Sequence, residues 1–213
     1  MVKRAIIVTG GSGPTPPVAY QRQAGDLVIC ADSGWELARR LSLDVDLWVG
    51  DFDSTTSRDP ISSPSLIIKR SPRDKDQSDT ELALIEAKAA GFEEWILLGG
   101  GGRRIDHLLA TYALFSRYGA PLIWQTGHET MYLVTGTKTF TALEKDQTVS
   151  FLPSIMGEAT TVTARQLVWP LVEAVISITS ISLSNRTTGT TLRVDVEHGS
   201  GVLVSFPVAD RHR

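Results

Sequence analysis

The chain has 213 residues, of which 42% are hydrophobic and 21% charged, a composition typical of a globular protein with one or two domains. Its formal net charge of -3 gives no electrostatic reason to expect nucleic acid or an anionic membrane as a partner. The single cysteine, Cys30, excludes an internal disulfide, and its apolar neighbours indicate a buried strand residue rather than a nucleophile.

The N-terminal residues do not resemble a targeting segment. Only four apolar residues follow Arg4 before polar residues and glycines begin, which is too short for the apolar region of a signal peptide. No apolar stretch approaches the roughly 20 residues that a membrane-spanning helix needs. We therefore expect a cytoplasmic protein with no membrane association.

The first 125 residues or so alternate between strand-like and helix-like patterns. Six short apolar runs predict strands, at residues 5–9, 27–31, 47–49, 66–69, 95–98 and 121–125. Three segments predict helices, at residues 35–43, 80–90 and 106–118. The last two helices each carry apolar residues on one face: Leu82, Ile85 and Ala89 in one, and Leu108, Leu109, Tyr112 and Phe115 in the other. This alternation predicts a doubly wound α/β domain with a mostly parallel sheet between helical layers.

The pattern changes after about residue 127. Eight short segments rich in Val, Ile and Thr predict strands, at residues 131–134, 138–143, 148–152, 160–163, 175–180, 181–183, 191–196 and 202–206. A weak helical period occurs only at residues 166–174. We therefore predict two domains, an α/β domain at residues 1–127 and an antiparallel β-sandwich or barrel at residues 128–213.

Chemically distinctive residues follow four successive strands of the predicted parallel sheet. They are Asp32-Ser33-Gly34, then Asp51 and Asp53, then Asp74, Lys75, Asp76 and Asp79, and finally Gly99, Gly100, Gly101, Gly102, Arg103, Arg104, Asp106 and His107. Ligands of open parallel sheets bind outside the carboxyl ends of the strands, so these side chains are expected to converge.

This combination indicates a metal–nucleotide site. Clustered carboxylates repel one another unless a cation neutralises them, and Mg²⁺ typically takes one or two carboxylates together with phosphate oxygens. Glycine N–H groups near a helix start and the arginines suit phosphate. Taken singly, Asp32 or Asp106 is also typical of a helix N-cap, and Lys75 of a solvated loop. His107 would either contact phosphate or fill the core.

These motifs resemble those of the thiamine pyrophosphokinase (thiamine diphosphokinase) family. The similar segments are Ala31-Asp32-Ser33-Gly34, Gly50-Asp51-Phe52-Asp53-Ser54, Asp74-Lys75-Asp76-Gln77-Ser78-Asp79-Thr80-Glu81, and Gly99 to His107. Weaker similarities lie at residues 166–171, which include Trp169, and at residues 184–189, which begin with Ser184 and Asn185. The chain departs from the family pattern at Ser33, Ser78, Arg103, Thr111 and Val168.

The resemblance implies an ATP-binding α/β domain, a thiamine-binding β-sandwich and a homodimer, with thiamine held where the two domain types meet across the dimer. In the implied reaction, the thiamine hydroxyl attacks the β-phosphorus of ATP, a pyrophosphoryl group transfers and AMP leaves. Asp51, Asp53 and Asp79 would bind Mg²⁺, and Asp32 would be a further ligand or contact the substrate hydroxyl. The identity of the general base stays open.

The remaining implied roles concern the two substrates. Phosphate-binding roles fall to Gly99, Gly102, Arg103, Arg104, Asp106, His107 and Lys75. Trp169 would stack on the cationic thiamine or else belong to the core, whereas Ser184 and Asn185 would hydrogen-bond the pyrimidine or form a turn.

Three other readings of the sequence are open. A related diphosphokinase could act on another heterocyclic alcohol, such as a hydroxymethylpterin. A metal-dependent phosphohydrolase is disfavoured, because the chain has only four histidines and only His107 lies near the carboxylates. A non-catalytic nucleotide sensor would leave the surplus of carboxylates unexplained.

Overall fold

The computed structural model describes residues 3–52, 65–72, 74–102 and 104–208. Their contacts divide the chain into two compact units. One unit extends to Thr111 and resumes at Ile123–His128, and the other comprises Tyr112–Leu122 and the residues from Glu129 onward. We predicted a single boundary after residue 127, but the segment Tyr112–Leu122, which precedes that boundary, already belongs to the second unit.

The first unit is a parallel sheet with helices, which confirms the predicted α/β architecture. Its strands are β1 (Arg4–Val8), β2 (Leu27–Ala31), β3 (Leu47–Gly50), β4 (Ile67–Arg70), β5 (Glu94–Leu98) and β6 (Ile123–Gln125). Its helices are α1 (Gly34–Arg40), α2 (Asp79–Ala89) and α3 (Ile105–Ala113), the last of which ends in the second unit. The strand order is β6-β5-β1-β2-β3-β4. The order reverses between β1 and β5, the switch point at which doubly wound sheets bind ligands.

The central strands of this sheet are buried because nearly every residue in them is apolar. All of β1 and β5 except the first residue of each is fully buried. Trp35 of α1 stacks on Trp48 of β3 with ring centroids 4.5 Å apart, and Phe52 meets Trp48 edge-on. The aromatic stack anchors α1 and the residues after β3 to one core.

Strand β4, helix α2 and the predicted long helix at residues 106–118 differ from the sequence-based expectation. β4 is exposed along its length because it is the edge strand. The buried face of α2 consists of Thr80, Glu81, Ala83, Leu84 and Ala87, not of Leu82, Ile85 and Ala89. In α3, Leu109 is 52% exposed and Leu108 is also exposed, and the predicted long helix breaks at Leu114 before α4 (Phe115–Tyr118). The buried face of α2 therefore combines small residues with Glu81 and Leu84, and it is offset from the apolar face that the sequence presents.

The second unit is a β-sandwich, as predicted. Its strands are β7 (Glu129–Val134), β8 (Thr137–Phe140), β9 (Thr148–Pro153), β10 (Thr160–Ala164), β11 (Leu171–Ile176), β12 (Ser182–Arg186), β13 (Leu192–His198) and β14 (Val202–Pro207). Antiparallel pairing gives the orders β12-β9-β14-β7 and β11-β10-β13-β8. Alternate residues of the two sheets, among them Phe151, Val162, Leu192 and Val204, share one buried core.

The region around β11 differs from the sequence-based expectation. The weak helical period at residues 166–174 does not produce a helix, because residues from Leu171 onward pair with β10. The strand predicted at residues 175–180 ends at Ile176. Ser177 and Ser180 then close a tight turn by exchanging two backbone hydrogen bonds of 3.1 and 3.0 Å. Strand pairing therefore overrides a weak local helical pattern.

Helices in the described part of the chain are all too short, or too polar, to cross a bilayer.

We expect Cys30 to be inert in the folded protein. Its thiol is buried in β2, and burial raises its pKa, so little reactive thiolate forms at neutral pH. Labelling by a thiol-specific disulfide reagent at pH 8 should be about 100-fold slower in the native protein than in the urea-unfolded protein, because the reagent must await opening of the core. Labelling of the native protein at the unfolded rate would contradict the buried assignment.

Candidate active site

A cleft of about 460 Å³ opens at the switch point of the parallel sheet. It is lined by residues 9–11 after β1, 31–33 at the end of β2, 78–80 at the start of α2 and 100–102 after β5, together with Arg104, His107 and Thr111. The cleft therefore collects residues from separate motifs at one edge of the sheet, as the sequence predicted for Asp32, Asp79, Gly102, Arg104 and His107.

Two glycine-containing loops form one wall of the cleft by pairing with each other. Ser12 donates its N–H to the carbonyl of Gly101, and Gly100 donates its N–H to the carbonyl of Gly10 at 2.9 Å. At Gly11, whose φ is +87°, a Cβ atom would lie 2.3 Å from the Gly101 carbonyl oxygen. Gly11 therefore permits the close approach of the second loop.

The structure corrects the expected role of Gly99. Its N–H donates to the carbonyl of Gln125 at 2.9 Å, and Gly99 is not among the residues that line the cleft. Gly100 lines the cleft, but its N–H is also hydrogen-bonded within the protein, to the carbonyl of Gly10. Gly101 and Gly102, in contrast, donate their N–H groups to no acceptor within the described residues. Both of these backbone donors are therefore available to a bound anion.

Asp32 lies directly after β2 in a backbone conformation uncommon for its residue type. Its φ is +42°, and the residue is almost completely buried while lining the cleft. Its N–H donates to the Val49 carbonyl at 2.8 Å, and its own carbonyl accepts from the Trp48 indole at 3.0 Å. These bonds hold the left-handed conformation, which costs roughly 1–3 kcal/mol in a non-glycine residue. Ser33, not Asp32, occupies the N-cap position of α1.

Asp79 lies at the first turn of α2 and is held by Lys75. The Lys75 ammonium donates to the Asp79 carboxylate and to the Ser71 hydroxyl, each at 2.6 Å, and its side chain is only 13% exposed. Ser78 caps the helix by accepting the Glu81 N–H at 3.2 Å. Lys75 is therefore an ordered partner of Asp79, not a solvated loop lysine. The N-cap of α2 is Ser78, so the Asp79 side chain does not cap the helix.

Among the described residues of the first unit, four predicted site residues do not line the cleft, namely Asp51, Gly99, Lys75 and Asp106. Asp51 directly follows β3, but it is not one of the residues that line the cleft. Asp53 and Arg103 lie outside the described residues, so their predicted roles stay predictions.

Arg104 and Asp106 form an exposed pair at the start of α3. The Arg104 guanidinium donates to both carboxylate oxygens of Asp106, and this pairing lowers the pKa of Asp106 to about 2. Arg104 and His107 line the cleft, whereas Asp106 does not. Asp106 therefore orients the arginine. His107 is exposed, so the core role considered for it was wrong.

In the second unit, Trp169 is 59% exposed and its backbone is held by Asn185. The Asn185 amide donates to the Trp169 carbonyl at 2.7 Å, and its oxygen accepts the Trp169 N–H at 3.2 Å. The Arg186 guanidinium lies 5.7 Å from the centroid of the Trp169 ring. Asn185 is inside β12, not in a turn, and Ser184 is exposed at an irregularity of that strand with φ +53°.

We expect Asn185→Ala to destabilise the protein by about 2–4 kcal/mol. The change leaves the two Trp169 backbone groups without their partner, and each such loss costs roughly 1–3 kcal/mol when buried. Urea unfolding measures the difference. Asn185→Asp is the comparison, because aspartate keeps the acceptor for the Trp169 N–H but replaces the donor by a carboxylate oxygen, which the Trp169 carbonyl repels. Wild-type stability of the alanine variant would contradict this role.

The carboxylates of the cleft suit Mg²⁺ that arrives with a phosphate ligand. No group of three or more His, Cys, Asp or Glu side chains in the described ranges is close enough to hold a metal alone. Asp32 and Asp79 nevertheless line one cleft, and Mg²⁺ needs only one or two carboxylates when phosphate oxygens and water complete its shell. The donor set therefore fits magnesium bound with a nucleotide.

Sequence reasoning missed three threonines. Thr9, Thr80 and Thr111 are buried and line the cleft, although none was singled out for a role in the chemistry. The only signal was position, since Thr9 follows a strand and Thr80 follows Asp79.

A cleft at the switch point of a parallel sheet, with carboxylates facing glycine N–H groups and an arginine, defines a phosphotransferase of the doubly wound α/β class, here joined to a β-sandwich. Residues 20–121 match the family described as thiamin pyrophosphokinase, catalytic domain, and residues 138–203 match the thiamin pyrophosphokinase, vitamin B1 binding domain. The chain belongs to the thiamin pyrophosphokinase family. It is accordingly an ATP-dependent diphosphotransferase that forms thiamine diphosphate.

Solved structures share the whole fold at low sequence identity. A thiamin pyrophosphokinase family protein from Enterococcus faecalis is 21% identical, with a TM-score of 0.71 over 98% of this chain and 100% of that one. Thiamine pyrophosphokinase from Bacillus subtilis is 20% identical, with a TM-score of 0.71 over 98% and 99%. Thiamin pyrophosphokinase from Candida albicans is 15% identical, with a TM-score of 0.64 over 97% and 89%. Among curated proteins, none matches the chain significantly by sequence.

Proposed function

We propose that the cleft of the α/β unit binds Mg-ATP and that the chain transfers its terminal pyrophosphoryl group to the thiamine hydroxyl, releasing AMP. The observation that carries this proposal is the meeting of Asp32 and Asp79 with Gly101, Gly102 and Arg104 in one cleft. Carboxylates for a cation and N–H groups plus a guanidinium for phosphate are complementary halves of one nucleotide site.

The protein groups have separable roles in this reaction. Arg104 and the N–H groups of Gly101 and Gly102 bind phosphate oxygens, and exposed His107 is within the same wall. Asp32 and Asp79 would hold Mg²⁺, with Asp51 and Asp53 as further predicted ligands. Bound magnesium would neutralise the phosphate charge that develops during transfer. Either carboxylate of the cleft is a candidate to accept the proton of the thiamine hydroxyl.

Lys75 gives the cation site a built-in counter-charge. Its ammonium contacts Asp79 directly, so it neutralises that carboxylate in the ligand-free protein. When magnesium binds Asp79, the ammonium would be released to a phosphate oxygen, which fits the phosphate role predicted for Lys75 from the sequence.

Thiamine recognition is assigned to the β-sandwich unit, supported by the match of residues 138–203 to the vitamin B1 binding domain. The Trp169 ring is largely exposed, and Arg186 already lies over it as a cation, which shows that the ring has an accessible π-face. The thiazolium ring would stack on Trp169, and Ser184 would hydrogen-bond the pyrimidine. Asn185 supports Trp169 instead of binding substrate. A homodimer and a cytoplasmic location are further parts of this proposal.

Incubation of the protein with Mg-ATP, with and without thiamine, tests the reaction. We expect AMP formation that depends on thiamine, together with thiamine diphosphate detected by mass. Phosphate release without thiamine would indicate a phosphohydrolase instead. Nucleotide binding without thiamine-dependent AMP would contradict the acceptor, and a hydroxymethylpterin would then be the next acceptor to test.

We expect Trp169→Ala to raise the KM for thiamine about tenfold while the KM for ATP changes less than about twofold. A desolvated cation–π contact with indole is worth about 1–2 kcal/mol, which corresponds to roughly 5- to 30-fold in affinity. Steady-state kinetics with each substrate varied in turn provide the measurement. Trp169→Phe should retain part of the affinity, and an unchanged thiamine KM in the alanine variant would exclude stacking.

A further inference from the structure

Two threonine hydroxyls meet in the wall of the cleft. Thr9 directly follows β1, and Thr80 is the second residue of α2, next to Asp79. Their Oγ1 atoms are 2.7 Å apart, and each residue is only 8% exposed. Both residues line the cleft, so the pair is buried in the protein yet borders the space that a ligand would fill.

One hydroxyl hydrogen of this pair is left without an acceptor when no ligand is bound. Each hydroxyl has one hydrogen to donate, and the bond between them uses only one of the two. Within the described residues, neither side chain makes any other hydrogen bond. One O–H hydrogen therefore has no acceptor among the residues that the structure describes, although buried polar groups almost always have partners.

The surroundings identify the kind of atom that would accept this hydrogen. The Thr9 methyl group lies beside Gly100, 3.5 Å from where a Cβ of that glycine would be. The free N–H groups of Gly101 and Gly102 and the guanidinium of Arg104 line the same cleft, and all of them are donors. A ligand oxygen with negative charge is complementary to this set.

We propose that Thr9 and Thr80 act together as one hydrogen-bond donor to a phosphate oxygen of the bound nucleoside triphosphate. One hydroxyl donates to the other, which in turn donates to the phosphate. The first hydroxyl thus polarises and orients the second. The inference rests on the proposed function, because it assigns a further contact to the nucleotide that the cleft is proposed to bind.

The alternative is a purely structural tie between α2 and β1. The two roles differ in what a hydroxyl deletion changes. A structural tie contributes to the free energy of unfolding and leaves nucleotide affinity unaltered. A donor pair contributes to nucleotide affinity, and the two residues contribute as one unit because they share a single available hydrogen.

Isothermal titration with α,β-methylene-ATP and Mg²⁺ tests the proposal, because this analogue cannot undergo pyrophosphoryl transfer. The variants are Thr9→Val, Thr80→Val and the double variant, which keep side-chain shape but lose the hydroxyls. Thr9→Ser and Thr80→Ser retain the hydroxyls. Thr160→Val is the matched control, since Thr160 is equally buried in the other unit and donates to the Gly201 carbonyl.

We expect one valine variant to raise Kd at least tenfold and the other to raise it less. The double variant should match the larger single effect, and both serine variants should bind within about threefold of the wild type. Thr160→Val should lower Tm without changing Kd. Valine variants with wild-type Kd, or two equal losses that add in the double variant, would overturn the shared-donor role. Failure of the wild type to bind the analogue would instead overturn the proposed function itself.

Discussion

Asp79→Asn is expected to lower kcat/KM for thiamine-dependent AMP formation by about 100- to 1,000-fold, the range found when one preorganised electrostatic group is removed from an active site. Asp79 is one of two carboxylates that line the cleft within the described part of the chain, and asparagine cannot balance the charge of a bound cation. The loss should appear mainly in kcat, because charge neutralisation is needed most in the transition state. Coupled detection of AMP under saturating Mg-ATP measures it.

The structure indicates that this variant will fold. Ser78, not Asp79, caps α2, and the asparagine oxygen can still accept a hydrogen bond from Lys75. Glu86→Gln is the matched control, because Glu86 lies on the same helix and pairs with Lys69 away from the cleft. A loss below tenfold in Asp79→Asn, with a Tm equal to that of the control, would remove Asp79 from the catalytic site.

Gly99→Ala is expected to destabilise the protein by about 2–5 kcal/mol, the largest effect on stability that we predict for a single methyl group. The φ of Gly99 is +99°, and an added Cβ would lie 2.2 Å from the carbonyl oxygen of Thr9, which belongs to the backbone and cannot rotate away. Backbone strain of about 1–2 kcal/mol therefore adds to a steric overlap of about 1–3 kcal/mol.

Gly91→Ala separates these two contributions. Gly91 also has a positive φ, +83°, but a Cβ there would meet no atom within 4 Å. Its substitution should cost only the backbone strain, roughly 1 kcal/mol. Urea unfolding of both variants gives the comparison, and equal losses would show that close packing of the glycine loop against β1 contributes nothing.

Local sequence patterns predicted much of this protein because the relevant interactions are short in range. Continuous apolar runs identified the buried strands β1, β2 and β5, and alternation with helical periods identified the parallel sheet. The motifs around Asp32, Asp79 and Arg104 follow strand ends, so sheet geometry alone brings them together. Period-2 strands rich in Val and Thr likewise predicted the β-sandwich.

The tertiary structure decided which groups remain available for chemistry. Gly99 and Gly101 have the same side chain, yet the Gly99 N–H is committed to Gln125, whereas the Gly101 N–H has no acceptor in the described part of the chain. The partner lies 26 residues away in sequence, so no local pattern could predict the difference. Lys75 and Asp79 were each recognised, but only side-chain packing showed that they neutralise each other.

The buried faces of helices depended on tertiary contacts for the same reason. The sequence placed Leu82, Ile85 and Ala89 on one apolar face of α2, whereas tertiary contacts bury Ala83, Leu84 and Ala87 and leave Ile85 exposed. The pairing of Thr9 with Thr80 spans 71 residues and joins a strand end to a helix start. Local sequence patterns thus identified the class of fold and the family, and they singled out Asp32, Asp79, Gly102, Arg104 and His107 among the residues that line the cleft. Long-range packing decided which of those residues keep free hydrogen-bonding groups. The reason is that each donor or acceptor pairs with whichever partner the fold brings near.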